Sequence, residues 1–319
     1  MSNYNGSLYS TNEISLSRTV RFWLLLLSEV PSLICSIFII FHLLIDRQER
    51  RSLNNHPIIL MNITGLFLKC TDVPFYLDFI RNGKVSPSTP IHCLIWWVGA
   101  IAFYYITCLL AAWASMERHI LVFHRARLNT AKGRFLFHYF PLIIICIYSI
   151  IFYTWVIFIL PCENIYDYTL PVCGAIPCYI NDPIFGVWEL IFHGCICTII
   201  TTVFSIGLVI RVIIEKLSRH LPIEWRKHRK MTIQMLSISS IFIFFNLPIT
   251  TMAIAHLAGL PYDVGAEIQL YFFFLSYWLI FLLPFVSLNS LTNLKQKIKR
   301  CFGILSQRQT TIGVLSTRR

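Results

Sequence analysis

Long apolar segments alternate with short polar ones along the chain, and this pattern predicts its elements. A helix that crosses the roughly 30 Å hydrocarbon core of a bilayer needs about 20 apolar residues, because each residue adds about 1.5 Å. The pattern therefore predicts an all-α membrane protein, a seven-transmembrane helix bundle, rather than a barrel of ten-residue alternating strands. Seven segments are long and apolar enough: 22–45, 56–79, 91–123, 137–160, 184–214, 230–257 and 267–291.

Polar residues at both ends divide the chain into three parts. Residues 1–21 are polar and lack the apolar core of a cleavable signal peptide, so we expect the first span to direct its own insertion. Residues 22–291 hold the seven spans and form the transmembrane domain. We expect residues 292–319 to form an amphipathic helix and a cytoplasmic tail.

The predicted eighth helix is short and follows the last span. Leu291, Leu294, Ile298 and Phe302 fall on one helical face, with the neighbouring lysines mostly off it. Such a helix lies along an anionic inner leaflet of the lipid bilayer. Cys301 lies beside the membrane and is a candidate for palmitoylation.

Composition and charge exclude a soluble protein and predict an orientation. The chain is 56% hydrophobic and 13% charged, far from the balance of a soluble domain. Its net charge of +12 would suggest nucleic acid in a soluble protein, but here it is a topology signal, and no nucleic-acid partner is expected. By the positive-inside rule, the N-terminus is extracellular and the C-terminus cytoplasmic, in the plasma membrane. Four segments on one side hold 20 of the 27 Lys and Arg residues: 46–55, 124–136, 215–230 and 292–319.

A glycosylation sequon at Asn5 agrees with this orientation, although a chance tripeptide explains it nearly as well.

A cysteine and an arginine mark the two ends of the third span. Cys93 opens the span, and Glu117, Arg118 and His119 close it. The 25 residues between Cys93 and Arg118 correspond to about 37 Å of helix, which places them at opposite membrane faces. This spacing in the third of seven spans resembles the rhodopsin-like, or class A, G-protein-coupled receptors. In that family an acid–Arg–aromatic triplet couples to a heterotrimeric G protein, and His119 stands here in place of the usual Tyr.

The resemblance implies a disulfide between the third span and the second outer loop. That loop holds Cys162, Cys173 and Cys178. The family pattern implies that Cys93 pairs with Cys178 or with Cys173, and Cys178 is favoured. The other two cysteines then form a bridge within the loop.

Two prolines match the family's kinked helices, whereas several other family residues are missing. Pro248 in the sixth span and Pro284 in the seventh stand at the family positions, where a proline kinks the helix. Asn246 replaces the family's tryptophan in the sixth span, and Ser287 replaces the tyrosine of the seventh. Phe67 stands where a sodium-binding Asp is expected, so a sodium pocket of the family type is not expected. The chain is therefore a divergent member by resemblance.

The resemblance also implies where a ligand binds. The cleft between spans three, five, six and seven has a mixed aromatic and polar wall, although helix packing explains each residue alone equally well. Ala100 stands where amine receptors carry an acid, so an amine ligand is disfavoured. Tyr277 stands where opsins carry the Lys that binds retinal, so the chain is not expected to be an opsin. Acidic residues in the outer loops (Glu163, Asp167, Asp182, Asp263 and Glu267) favour a cationic peptide ligand. The wall comprises Ala100, Tyr104, Asn246, Thr250, Phe273 and Tyr277.

In the family's mechanism, Glu117 holds Arg118 at rest, and outward movement of the sixth helix exposes Arg118. The family's second lock is an acid at the position that His228 occupies here. Without that acid we expect high signalling in the absence of ligand.

Two charged residues inside the second span are read as a structural pair. Lys69 and Asp72 are three residues apart and can neutralise each other, an interpretation favoured over a ligand or ion site.

The rival functions are a seven-span transporter or channel and a receptor-like protein that does not signal. The sequence shows no inverted repeats of the transporter kind and no paired catalytic motif, so no enzyme activity is expected. No cofactor and no metal site are expected either, because the cysteines lack metal-ligand spacing.

Overall fold

The computed structural model describes residues 14–174, 177–218, 223–261 and 264–289. Within them the protein is helical, and seven helices are long and apolar enough to cross a membrane, as the sequence predicts. We number these α1 to α7. Five of them are given by a single range: α1 Arg18–Ile45, α2 Asn55–Asn82, α4 Ala131–Ile159, α6 Ile223–Leu257 and α7 Ala266–Asn289. The other two each consist of three consecutive segments, which are Pro90–Trp97, Val98–Ala102 and Phe103–Phe123 in α3, and Phe185–Trp188, Glu189–Ile196 and Cys197–Ser218 in α5.

Local chemistry explains several helix ends. The Ser17 hydroxyl accepts a hydrogen bond from Val20 N and begins α1. Thr89 does the same for α3, where Pro90 occupies the first turn and needs no partner for its nitrogen. Gly83 ends α2 with φ at 72°, a left-handed conformation that glycine adopts without strain.

Three of the helices contain π-helical segments, which each insert an extra residue into the turn. They are Val98–Ala102 in α3, Phe135–Tyr139 and Trp155–Ile159 in α4, and Glu189–Ile196 in α5. Such segments rotate the following side chains relative to a regular α-helix. In α4 and α5 they carry buried polar residues, His138 in α4 and Glu189 and His193 in α5.

The seven helices form a ring in chain order, which α1 and α7 close, and α3 is central. α3 packs against α2, α4, α5 and α6, while α7 also packs against α2. Consecutive helices run in opposite directions. We call the end with Cys93 the disulfide end and the other the Arg118 end.

Apolar side chains on the outside of the bundle suit a lipid environment. α4 shows this best, because its exposed face is a row of isoleucines and aromatic residues that water would not favour. Together with the seven helices, this surface indicates a multi-pass membrane protein.

Close packing between α2 and α3 depends on a glycine. A Cβ atom on Gly99 would overlap the Thr71 hydroxyl of α2. The absence of a side chain at Gly99 therefore allows the two backbones to approach.

The expected pairing of Lys69 with Asp72 is wrong. Lys69 Nζ donates to Ser32 Oγ at 3.2 Å and to Ser36 Oγ, both on α1. Asp72 instead accepts from Trp96 Nε1 of α3 at 2.7 Å. The two charges lie on neighbouring parts of α2, but packing against different helices gives each its own partners.

Candidate functional site

Two disulfides hold the loop between α4 and α5 at the disulfide end. Cys93 is bonded to Cys173, and Cys162 is bonded to Cys178 within the loop. The favoured prediction, a bond between Cys93 and Cys178, is therefore wrong. The alternative prediction, a bond between Cys93 and Cys173, is confirmed. Asn164 helps to fix Cys178 inside the loop, because its Oδ1 accepts from Cys178 N at 2.9 Å.

The loop is also clamped to α3 by hydrogen bonding and stacking. Trp97 Nε1 donates to Val172 O at 2.8 Å, and the Tyr166 ring stacks on Trp97 at 5.3 Å. Val172 and Cys173 have φ of 53° and 54°, a left-handed conformation that is costly for a β-branched residue. The disulfide and the tryptophan bond hold this strained turn over the end of α3.

Three of the six predicted ligand-wall residues lie where α3, α5 and α6 meet. The Tyr104 hydroxyl donates to Asn246 Oδ1, and Asn246 Nδ2 lies 3.6 Å from Cys108 Sγ. Thr250 is hydrogen-bonded to Thr198 of α5 at 3.3 Å. These bonds link α6 to both α3 and α5 around Pro248, which lies within the continuous helix α6.

A small cavity lies beside these bonds. Its volume of about 10 Å³ is enough for one water molecule and far too small for a peptide. Its lining residues are Cys108, Cys197, Thr198, Thr201, Phe242, Ile243 and Asn246.

The other predicted wall residues lie elsewhere. Tyr277 stacks on Tyr76 of α2 at 5.3 Å, and Phe273 meets Tyr277 edge-to-face at 5.8 Å. The buried Tyr277 hydroxyl interacts with the Asp72 carboxylate but lies outside hydrogen-bonding geometry. Ala100 lies in the π-helical segment of α3. Tyr277 thus faces α2 rather than the group around Tyr104, and Phe273 packs beside it on α7.

Several of the loop acids have structural roles. Asp167 Oδ1 accepts from Thr169, and Asp182 Oδ1 accepts from Ile184 N and Phe185 N at the start of α5. Glu163 and Glu267 are exposed. Fewer acids than expected are therefore available to a cationic ligand.

A buried polar cluster between α4, α5 and their loop was not predicted. His193 is hydrogen-bonded to Tyr148 at 2.8 Å and to Tyr153 at 3.0 Å. Tyr179 of the loop donates to Glu189 Oε2 at 2.8 Å. Burial, together with the adjacent Glu189 carboxylate, raises the pKa of Tyr179, so this phenol stays protonated as a donor.

At the Arg118 end, Glu117 is bound by a histidine of α4. Its Oε1 is hydrogen-bonded to His138 Nδ1, and both side chains are fully buried. His138 Nε2 lies 2.6 Å from His56 Nδ1 of α2, and His56 Nε2 lies 2.8 Å from the Arg50 carbonyl oxygen. Neither histidine was predicted from the sequence, where an isolated histidine in an apolar span carries no spacing signal.

Arg118 is fully buried and makes one hydrogen bond to the residues that the structure describes. Its Nη2 donates to the Asn54 carbonyl oxygen at 2.8 Å, whereas Nε and Nη1 have no partner in the described part of the chain. The expected resting pair of Glu117 with Arg118 is therefore not formed, because His138 binds Glu117. His119 points to α5 and donates its Nε2 proton to Phe204 O at 2.7 Å.

Several predicted residues lie outside the described residues. They are Asn5, Asp263, Cys301 and the residues of the predicted eighth helix. The side chain of His228 is also outside the described part of the chain. Pro284 lies within the continuous helix α7.

The chain matches no protein-family model and has no significant match among curated proteins. Its function is therefore argued from its own residues.

Proposed function

We propose that this protein is a divergent rhodopsin-like G-protein-coupled receptor in the plasma membrane. The observation that carries the proposal is the central helix α3. One end of α3 is joined by Cys93–Cys173 to the loop between α4 and α5, and the other end carries a buried Arg118. The six other helices long and apolar enough to cross a membrane support the same proposal.

The distribution of charge supports an extracellular disulfide end. Most of the Lys and Arg residues lie in the segments that join helices at the Arg118 end or follow α7. Disulfides persist in an oxidising extracellular environment, which agrees with that orientation. An amphipathic eighth helix after α7 then lies along the inner leaflet.

In this mechanism, an extracellular ligand shifts α6 relative to α3 and α5. The bonds from Asn246 to Tyr104 and from Thr250 to Thr198 favour the conformation described here. A ligand that prefers the outward position of α6 would break them and open the Arg118 end. The N–H groups of Arg118 that lack partners would then bind a segment of the G protein.

A peptide is the favoured ligand class. The exposed Glu163 and Glu267 favour a peptide with basic residues. Binding of an identified peptide should weaken in high salt and when both acids are changed to Gln, and binding unaffected by either would exclude this electrostatic contribution.

The proposal is tested by nucleotide exchange on co-expressed heterotrimeric G proteins. Wild type should accelerate exchange without ligand, and Arg118→Ala should abolish the effect at equal surface expression. His228→Glu should lower the ligand-free exchange, because it restores the family's acid. Exchange equal to that of cells without the protein, with and without a peptide library, would reject the receptor function.

A transporter is the second candidate function, because ionisable residues lie buried inside the membrane-spanning helices. Glu29, Lys69 and Asp72 are each less than a tenth exposed. Such residues often mark ion pathways. Ion flux into proteoliposomes that disappears in Lys69→Met, combined with no nucleotide exchange, would favour this function over the receptor.

A further inference from the structure

Three hydrogen bonds run in series from Glu117 to the backbone of Arg50. Glu117 is bonded to His138, His138 to His56, and His56 to the Arg50 carbonyl oxygen. Each bond requires one proton, and the carbonyl oxygen can only accept. A carboxylate and two neutral imidazoles carry two protons together, so this series of three bonds requires one more.

The extra proton has three positions that satisfy all three bonds. His138 is an imidazolium that donates to both neighbours, or Glu117 is a carboxylic acid that donates to a neutral His138, or His56 is an imidazolium that donates to a neutral His138. In all three arrangements His56 donates to the Arg50 carbonyl oxygen. The geometry therefore fixes the number of protons, whichever position is occupied.

We propose that Glu117, His138 and His56 form a binding site for a single proton at the Arg118 end. Glu117 and His138 are fully buried, whereas His56 is partly exposed and connects them to solvent. If the proton leaves, one of the three bonds is lost. A second added proton would place a hydrogen on both atoms of one bond, so that bond would be lost.

Charged and titratable groups from each neighbouring element face this site. α3 supplies Arg118, and α4 supplies Tyr139, whose ring lies 4.7 Å from that of His138 and 5.6 Å from that of His56. The segment before α2 supplies Glu49, which accepts from Asn55 Nδ2 at 2.8 Å, and the adjacent Arg50. Of these cations, only Arg118 is buried next to Glu117 with N–H groups that lack partners.

The bound proton regulates Arg118, a step that rests on the proposed function. With the proton present, Glu117, His138 and His56 carry no net charge together, so Glu117 needs no further cation and the Arg118 N–H groups can bind a G protein once α6 moves outward. Without it, the buried Glu117 carboxylate needs a new cation, and the adjacent Arg118 supplies it. Coupling is then favoured when the cytosol is acidic and lowered when it is alkaline.

Proton binding is tested first on the purified full chain in lipid nanodiscs, without any G protein. Melting temperatures are measured from about pH 6 to about pH 9 for wild type, His138→Gln and the control His193→Gln. Glutamine preserves a hydrogen-bonding amide but cannot ionise. We expect the advantage of wild type over His138→Gln to shrink by several degrees as the pH rises.

The control should behave differently, because His193 is bonded to two tyrosines and to no carboxylate. We therefore expect the difference between wild type and His193→Gln to stay constant over this range. If His138→Gln does not fold, His56→Gln provides the same comparison at the partly exposed end. A wild-type advantage that is independent of pH in the variant tested would overturn the proposed proton site.

Regulation is tested separately by nucleotide exchange at the same pH values. Normalised to His193→Gln, wild-type exchange should fall about two- to twelvefold towards alkaline pH, the effect of losing one hydrogen bond. Glu117→Gln should be high and independent of pH. If stability depends on pH but no G protein shows exchange, the receptor function is rejected and the proton site is retained. If wild-type exchange occurs but does not depend on pH, the regulation is rejected.

Discussion

Asp72 is a carboxylate inside α2, and the indole of Trp96 is its hydrogen-bond donor. Both side chains are almost fully buried. Trp96→Phe keeps an aromatic ring but removes the N–H group, so a buried acid loses its donor. We expect the free energy of unfolding to fall by about 1–3 kcal/mol, measured by circular dichroism melting in detergent.

The adjacent tryptophan gives a matched control. Trp97 is equally buried, but its Nε1 donates to the uncharged Val172 carbonyl. Trp97→Phe should therefore cost less, about 0.5–1.5 kcal/mol. A larger loss for Trp97→Phe than for Trp96→Phe would show that the bond to Asp72 is not a major source of stability.

The sequence predicted which residues mark the helix ends, but not their partners. The distance from Cys93 to Arg118 follows from helical rise alone and needs no tertiary information. The partners of Lys69 and Glu117 depend on how each helix is rotated against its neighbours, which spacing along one helix does not reveal. Local proximity therefore suggested Asp72 and Arg118, whereas the structure has Ser32, Ser36 and His138.

Gly99 determines how closely α3 approaches α2. Any side chain at this position would overlap the Thr71 hydroxyl, so α2 and α3 would have to separate. We expect Gly99→Ala to lower the free energy of unfolding by about 1–3 kcal/mol, measured by the same melting experiment. Gly65→Ala is the control, because its Cβ would contact Ile280 at an ordinary 3.6 Å. Equal effects at the two glycines would contradict the close approach of α2 and α3.

The loop disulfides allow a chemical test of their pairing. Cys93→Ser should leave Cys173 as a free thiol and keep Cys162–Cys178 intact, as identified by alkylation and peptide mass spectrometry. Losing the bridge should also cost about 2–4 kcal/mol of stability. Alkylation of Cys178 instead of Cys173 in this variant would support the other pairing.

The apolar segments of the sequence predicted that seven helices exist, but they did not predict where each helix begins or which segments are π-helical. α4 begins at Ala131 rather than 137, and α6 begins at Ile223 rather than 230. Apolarity reports the length inside the bilayer, but a helix continues through polar residues once it leaves the membrane. The π-helical segments also lack a sequence signature, although one of them carries His138.

At the scale of the whole molecule, α6 is tied to the rest of the bundle near Pro248 by few polar bonds. Asn246 bonds to Tyr104 of α3, and Thr250 bonds to Thr198 of α5. In membrane proteins a bond of this kind contributes about 0.6 kcal/mol and at most about 1.7 kcal/mol. Such values are too small to hold α6 rigidly but large enough to bias its position.

In the proposed receptor, Asn246→Ala should therefore shift α6 towards the position that permits coupling. A loss of about 0.6–1.7 kcal/mol corresponds to a roughly three- to eighteenfold change in a two-state equilibrium, so ligand-free nucleotide exchange should rise within that range. Thr251→Ala is the control, because Thr251 is exposed and its hydroxyl donates to Leu247 O of its own helix. If Asn246→Ala left exchange at the wild-type level while Arg118→Ala abolished it, the bond from Tyr104 to Asn246 would have no part in holding α6.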